Sequence, residues 1–361
     1  MNNGKIIEYT HGGNLEAARL NYGAKKFLDL SVNLNPWGPP WPMWFNLIVN
    51  LRRIREYPEP YSERGRQLLA GYFNLSGANF VLGNGAAELI GALPQALPVE
   101  RAIVLEPAFA EYRRAFEAVG KEVKRIKLAG DFTIPLDVVA AELKKGDLLF
   151  VCQPNNPNGQ LFKREILLEL LELTKTRGSW LVIDESFLWF CDEILDTSFS
   201  CLVNEYPLII INSLTKIAAI PGLRLGFAIG APETIAVIAK VLNQWNLNSL
   251  AQQIINSIFE GTFLEKTRQR LANESIWLQE KLARIKTLKV YPWDANFYLI
   301  KLKDDMAGSD PVSKLADLGI LVRDCSNFEG LGANFIRVAV GRRRQNRRLI
   351  KALTKVAGHG K

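Results

Sequence analysis

The sequence predicts an α/β fold built as two units, and three observations predict it. Through the middle of the chain, apolar runs of strand length alternate with amphipathic stretches of helical period. At roughly 150 residues per domain, 361 residues fill about two domains, or one large and one small. Past about Val237 the pattern turns to long helical stretches rich in Glu, Lys, Arg and Gln with scattered strands, as a smaller α+β unit requires.

Taken in order, residues 80–82 read as a strand that runs through Gly83-Asn84-Gly85 into a helix, and residues 102–105 as the next strand. Residues 148–151 form a short buried strand. Over 163–177, Ile166, Leu167, Leu170, Leu171 and Leu173 make one helical stripe, which Gly178 stops. Strands follow at 180–183, 208–211 and 225–229. Downstream, 249–285 reads as one long helix shared between the units, with further helices at 311–318 and 343–356. Strands fall at 288–291, 297–300, 320–322 and 335–340.

Composition narrows the function. A hydrophobic share of 48% supplies a sizeable core, which excludes a disordered chain. No apolar run approaches the ~20 residues of a membrane span, and the first residues lack the apolar stretch of a signal peptide. The 4 cysteines (Cys152, Cys191, Cys201 and Cys325) form no C-x-x-C pair, so a zinc module or disulfide framework is not expected and a reducing, cytoplasmic setting is. With only 2 histidines, His11 and His359, multi-histidine metal sites are out. Proton chemistry must then use lysine, carboxylates or a cofactor. A net charge of +8 favours anionic partners, either phosphorylated metabolites or nucleic acid. The arginines at 342, 343, 344, 347 and 348 read as the solvated start of the last helix, since no aromatics interleave them for nucleic acid.

Polar clusters follow three of the strands: Asn155-Asn156-Pro157-Asn158-Gly159, Asp184-Glu185-Ser186, and Asn212-Ser213-Leu214-Thr215-Lys216. Singly each has an ordinary explanation: a turn, a helix cap, a surface lysine. Three beyond the carboxyl ends of one sheet make a site. Gly83 and Gly85 fit neither dinucleotide nor P-loop spacing, yet a glycine turn before a helix exposes N–H groups to a phosphate. Ser213-Leu214-Thr215-Lys216 also reads as S-x-x-K, but the S-D-N and K-T-G partners of penicillin-binding enzymes do not occur. A phosphate seat (Gly85, Ala86, Ala87, Ser213, Arg224), a buried carboxylate (Asp184) and a lysine (Lys216) are the parts that pyridoxal 5'-phosphate (PLP) requires. Asn156 is placed to reach the ring 3-oxygen and Phe109 to stack on the ring.

These residues resemble a known family. Asn156-Pro157-Asn158-Gly159, Asp184-Glu185, Ser213-Leu214-Thr215-Lys216 and Pro221-Gly222-Leu223-Arg224-Leu225-Gly226 are similar, in order and spacing, to the fold-type-I PLP-dependent aminotransferases, in the histidinol-phosphate aminotransferase branch. Within that branch, His11-Gly12-Gly13-Asn14, Asp29-Leu30-Ser31-Val32-Asn33-Leu34-Asn35-Pro36 and Leu321-Val322-Arg323-Asp324-Cys325-Ser326-Asn327-Phe328 resemble the threonine-phosphate decarboxylases of cobalamin biosynthesis. The resemblance implies a large domain with a mixed, mostly parallel sheet flanked by helices over 41–245. A smaller α+β domain over 246–361 would be joined by the segment 1–40.

It also implies roles. Lys216 would form the Schiff base, Asp184 would face the pyridine nitrogen, Asn156 the 3-oxygen and Phe109 the ring face. Ser213, Arg224 and the backbone of Gly85, Ala86 and Ala87 would hold the cofactor phosphate. Tyr57 would reach the neighbouring subunit's cofactor in a homodimer. Arg337 would bind the substrate α-carboxylate beside Asn156, with His11, Arg323 and Asn33 around the substrate's own phosphate. The activity implied is decarboxylation of L-threonine O-3-phosphate, with amino transfer as the alternative. Neither nucleic acid nor membrane is an expected partner. The chain departs from the branch at Phe109 and Phe187, where tyrosine is usual, and at Asn158 and Ser186, where threonine and alanine are commoner.

Overall fold

The structure is a computed structural model that describes residues 12–23, 26–191, 194–303 and 310–358. In chain order its strands are β1 (Leu28–Asp29), β2 (Phe80–Gly83), β3 (Arg101–Glu106), β4 (Glu122–Lys127), β5 (Asp147–Cys152), β6 (Trp180–Asp184) and β7 (Leu208–Ser213). There follow β8 (Gly226–Ile229), β9 (Leu288–Val290), β10 (Phe297–Leu302), β11 (Ile320–Leu321), β12 (Arg323–Asp324) and β13 (Phe335–Ala339). The large sheet has the order β2-β8-β7-β6-β5-β3-β4. Strands β3 to β7 pair in parallel, while β8 runs antiparallel to both β7 and β2. The fold is thus that of the fold-type-I PLP-dependent transferases, a mixed, mostly parallel sheet covered by helices.

Helices on both faces explain why the central strands read as unbroken apolar runs. Side chains still alternate, since successive residues of a strand point to opposite faces. Leu149, Val151, Leu181, Ile183 and Ile210 pack into one apolar layer with Leu167, Leu170 and Leu171 of helix Arg164–Arg177. Phe150, Val182, Ile209 and Ile211 enter the other layer, against Leu89, Leu93 and Phe116. As expected, Gly178 ends helix Arg164–Arg177, in the left-handed region at φ 64°.

Three elements differ from the expectation. The stretch 249–285 is two helices, Ser249–Phe259 and Phe263–Leu282, parted at Gly261 with φ 63°, a conformation no right-handed helix continues through. The expected strand 320–322 is shortened to Ile320–Leu321, β11, which pairs parallel with β1, and past Val322 a separate strand not expected, β12, pairs antiparallel with β13. Strand β4 was not expected, because four of its six residues are charged; as an edge strand it buries only Ile126. Nor is the arginine run wholly solvated. Arg343 Nε donates to Glu274 Oε2 at 3.1 Å and its guanidinium covers the Trp277 ring, while Arg342 Nε donates to Pro36 O at 2.7 Å.

The smaller sheet, β12-β13-β10-β9, is antiparallel. The segment around β1 joins both sheets. Leu30 N–H donates to Leu321 O at 2.8 Å, and Ala339 N–H to Leu30 O at 2.9 Å. A few residues on, Asn35 N–H donates to Lys216 O and Asn35 Nδ2 to Ile217 O, both at 3.0 Å. Among the described residues, no helix is long and apolar enough to cross a membrane.

One buried ion pair fastens the base of the large sheet. Arg101 Nε and Nη2 donate to Asp147 Oδ1 and Oδ2 at 3.0 and 2.7 Å, at paired positions of β3 and β5. Asp147→Ala leaves a buried guanidinium without its acid, so stability should fall by about 3 kcal/mol, read from the urea midpoint at unchanged slope. A loss below about 1 kcal/mol would show the pair to be no stronger than a surface one.

Candidate active site

Strand register brings the three polar clusters together. Cys152 pairs with Asp184, Asp184 with Ile211, and Ser213 with Gly226, so the segments after β5, β6 and β7 leave the sheet side by side. They open on a cavity of about 700 Å³, whose wall includes Asn156, Asp184, Ser213, Lys216, Arg224 and Arg337. That volume suits a ligand of cofactor size.

Asp184 ends β6 and is buried. The Ser186 N–H donates to its Oδ1 at 2.9 Å, and the Tyr112 hydroxyl to its Oδ2 at 2.7 Å. Burial pushes its carboxyl above the usual aspartate range, against the pull of those donors and of Lys216. The neighbouring Glu185 stays out of the cavity wall, accepting from Ser198 Oγ at 2.8 Å and Phe199 N–H at 3.1 Å. Burial holds its carboxyl at about 7.

Lys216 is partly exposed and lines the cavity. Its Nζ donates to Thr215 Oγ1 at 3.3 Å, and Thr215 Oγ1 lies 2.7 Å from Ser213 Oγ. Desolvation, with the Arg224 and Arg337 charges against Asp184, brings its amine down to about 8.

The glycine turn is built for close approach. Gly85 has φ 82°, and a Cβ there would stand 2.5 Å from Arg224 Nη2. A Cβ on Gly226 would stand 2.7 Å from Ala86 N. Backbone, guanidinium and the N-terminus of helix Ala86–Ala96 therefore crowd one spot, with Ala86, Ala87, Ser213 and Arg224 on the cavity wall. Such a corner attracts an anion.

Opposite lies Arg337, from β13. Its Nη1 donates to Asn156 Oδ1 at 2.5 Å and its Nη2 to Ser31 O at 3.1 Å, while its buried Nε has no partner among the described residues. Among the described residues it forms no ion pair with a carboxylate, and its guanidinium covers Phe297, 5.2 Å from the ring centroid. Burial brings it down to about 10. Asn33 is buried on the same cavity wall, both amide atoms unpaired among the described residues. Arg323 also lines the cavity, its Nη2 donating to Asn327 Oδ1 at 2.7 Å.

Phe109 and Phe187 are on the wall too, and Phe187 meets Phe297 edge to face at 5.0 Å. Tyr57 lies apart from this cavity, 82% exposed, its ring 4.9 Å from that of Trp245. His11 falls outside the described residues. The expected residues other than His11, Tyr57 and Gly85 thus all line one cavity, and Gly85 backs its wall through Arg224.

Tyr112 and Thr215 were not singled out in the sequence. Tyr112 shares a buried stripe with Ala115 and Phe116, which reads as core; its hydroxyl partner is 72 positions away. Thr215 sits inside the lysine motif, but only the fold shows its hydroxyl between Ser213 and Lys216.

The family described as aminotransferase class I and II matches the chain over residues 25–353. The chain belongs to the class I and II aminotransferases. Over 361 residues it is 33% identical to the threonine-phosphate decarboxylase of Salmonella typhimurium, covering 97% of each chain. It is 32% identical to the histidinol-phosphate aminotransferase of Symbiobacterium thermophilum, over 99% of this chain and 98% of that one. The crystal structure of L-threonine-O-3-phosphate decarboxylase from Porphyromonas gingivalis superposes with a TM-score of 0.80 at 26% identity, over 91% of this chain and 98% of that one. The chain is a PLP-dependent enzyme of this family. Its donor set fits the group: a lysine amine at about 8, a buried carboxylate, and an anion seat where a Cβ has no room.

The depressed lysine gives a pH test. In cofactor-free protein, labelling of Lys216 by an amine-reactive reagent should rise with a midpoint near 8 rather than 10.5. Unfolded, this lysine keeps its proton up to 10.5; folded, only to about 8. Between those values the unfolded state holds more protons, so its contribution makes stability rise with pH. Lys216→Met should abolish both effects.

Proposed function

We propose that this enzyme decarboxylates L-threonine O-3-phosphate to (R)-1-amino-2-propanol O-2-phosphate and CO2, for the aminopropanol arm of cobalamin. One observation carries the reading: Arg337, buried without an acid partner among the described residues, shares its cavity with the second guanidinium of Arg323 and with the Asn33 amide, unpaired among those residues. That arrangement matches a small ligand with a carboxylate at one end and a phosphate at the other. The 33% identity with a threonine-phosphate decarboxylase over nearly the whole chain supports it.

In this reading Lys216 holds the cofactor, Asp184 faces its ring nitrogen, Asn156 its 3-oxygen and Phe109 its ring face. Ser213, Arg224 and the amides at Gly85, Ala86 and Ala87 take its phosphate. When bound, PLP draws electrons from the substrate's Cα, loosening whichever bond stands perpendicular to the ring. Arg337 grips the substrate carboxylate, while Arg323, Asn33 and His11 hold the distant phosphate. Binding energy at the phosphate then sets the torsion that turns the carboxylate out of the ring plane. Lys216 Nζ, its amine brought down to about 8, or a water would return a proton to Cα. Phenylalanine at 109 and 187 leaves Asn156 as the main donor to the 3-oxygen. The working units are 41–245 and 246–361, with the leading segment joined to the smaller, in a cytoplasmic enzyme.

The 32% identity with a histidinol-phosphate aminotransferase supports a second reading, amino transfer on the same site. Incubation of the holoenzyme with L-threonine O-3-phosphate separates them. CO2 and aminopropanol phosphate are expected; a keto acid, formed only with an amino acceptor and without CO2, would establish the transferase.

The same reading includes a homodimer. Helix Trp41–Val49 and the turn after it present Trp41, Phe45, Ile48 and Ile54, 75%, 58%, 66% and 66% exposed, next to Tyr57 in sequence. An apolar patch of this kind calls for a cover, and a second copy would bring Tyr57 to the neighbour's cofactor phosphate. Sedimentation should give a dimer, and Tyr57→Phe should weaken PLP retention by about tenfold through one lost hydrogen bond to a charged group. An active monomer would refute the shared site.

A further inference from the structure

Tyr112 lines the cavity though it is only 1% exposed, its ring stacked on Phe150 with centroids 4.8 Å apart and planes 9° apart. Its hydroxyl donates to Asp184 Oδ2 at 2.7 Å. The other groups around that carboxylate act differently. The Ser186 N–H occupies Oδ1 and its side chain adds a hydrogen bond, Cys152 Sγ donates to Pro154 O at 3.2 Å and also meets the Tyr112 hydroxyl, and Lys216 contributes charge from the cavity side. Glu185, next in the chain, faces Ser198 and Phe199 instead. Tyr112 thus supplies Oδ2 with a side-chain donor, beside the Ser186 side chain that also bonds the carboxylate.

We propose that Tyr112 is a positioning residue, whose hydroxyl fixes the Asp184 carboxylate in place and preserves its negative charge for the ring nitrogen of PLP. Burial works against that charge, and a donor aimed at the anion offsets burial. The donor cannot reverse, because the desolvated phenol is raised well above its ordinary range and holds its proton wherever the enzyme works. Phe150 beneath the ring leaves the phenol one orientation, so the carboxylate it binds inherits that orientation. The inference rests on the cofactor reading above, in which Asp184 faces the ring nitrogen.

Tyr112→Phe removes one oxygen and leaves the stacked ring. In the holoenzyme, PLP retention measured by dialysis should weaken by roughly tenfold. The pH midpoint of the cofactor's visible absorbance should move up, because a ring nitrogen without a firm anion is less protonated and withdraws fewer electrons. The melting point of the cofactor-free variant should stay within a few degrees of wild type. On an Asp184→Asn background, Tyr112→Phe should add less than about twofold, since its effect runs through that carboxylate. Unchanged retention and midpoint, or losses that multiply in the double variant, would overturn the proposal. If Tyr112→Phe does not fold, biosynthetic 3-fluorotyrosine, a more acidic donor of nearly the same shape, should move the midpoint down; no movement would likewise overturn it. A wild-type protein that retains no PLP at all would instead overturn the cofactor reading itself.

Discussion

The constraint on which this structure turns is the crowding of charge into one cavity away from bulk water. Lys216, Arg224, Arg323 and Arg337 outnumber the acids that could neutralise them there, and Asp184 sits among them, buried. Left alone, such an arrangement is costly, because each ion has lost much of its hydration. Two outlets are visible. The lysine sheds part of its affinity for the proton, and a seat for an anion forms where Arg224 meets the glycine turn. A phosphorylated ligand held there would complete the balance, and its affinity and the relief of folding cost would then share one origin.

The sheet earns its place by register rather than by any single contact. Because β5, β6 and β7 are parallel and in step, residues far apart in the chain emerge at the same edge. β8 then returns antiparallel and brings Gly226 against both Ser213 and the glycine turn. A side chain at Gly226 would push on Ala86 N and Asn212 O together, which ties the geometry of the sheet directly to that of the anion seat.

Much of this was legible beforehand, for identifiable reasons. Doubly covered strands write themselves as apolar runs, and the residues beyond their carboxyl ends stand out because they are polar where the pattern stops. The edge strand β4 stayed hidden because exposure lets it carry charges, and the break at Gly261 because a single glycine in a strongly helical stretch reads as tolerated. Tyr112 was hidden for a deeper reason. Its spacing reports only which face is buried, and a buried tyrosine's partner is a matter of tertiary structure. Arg337 and Asn33 came from family likeness alone; that among the described residues one lacks an acid and the other any partner could not be read from their neighbours in sequence.

The segment that begins at β1 has a mechanical meaning. It is sewn to β11 and β13 at one end, and its Asn35 holds the backbone oxygens of Lys216 and Ile217 at the other. Only four residues separate Leu30 from Asn35, so there is little slack in the thread. Any shift of the smaller sheet is transmitted as tension to the peptide that bears the reactive amine, and the lysine's footing is anchored from outside its own sheet.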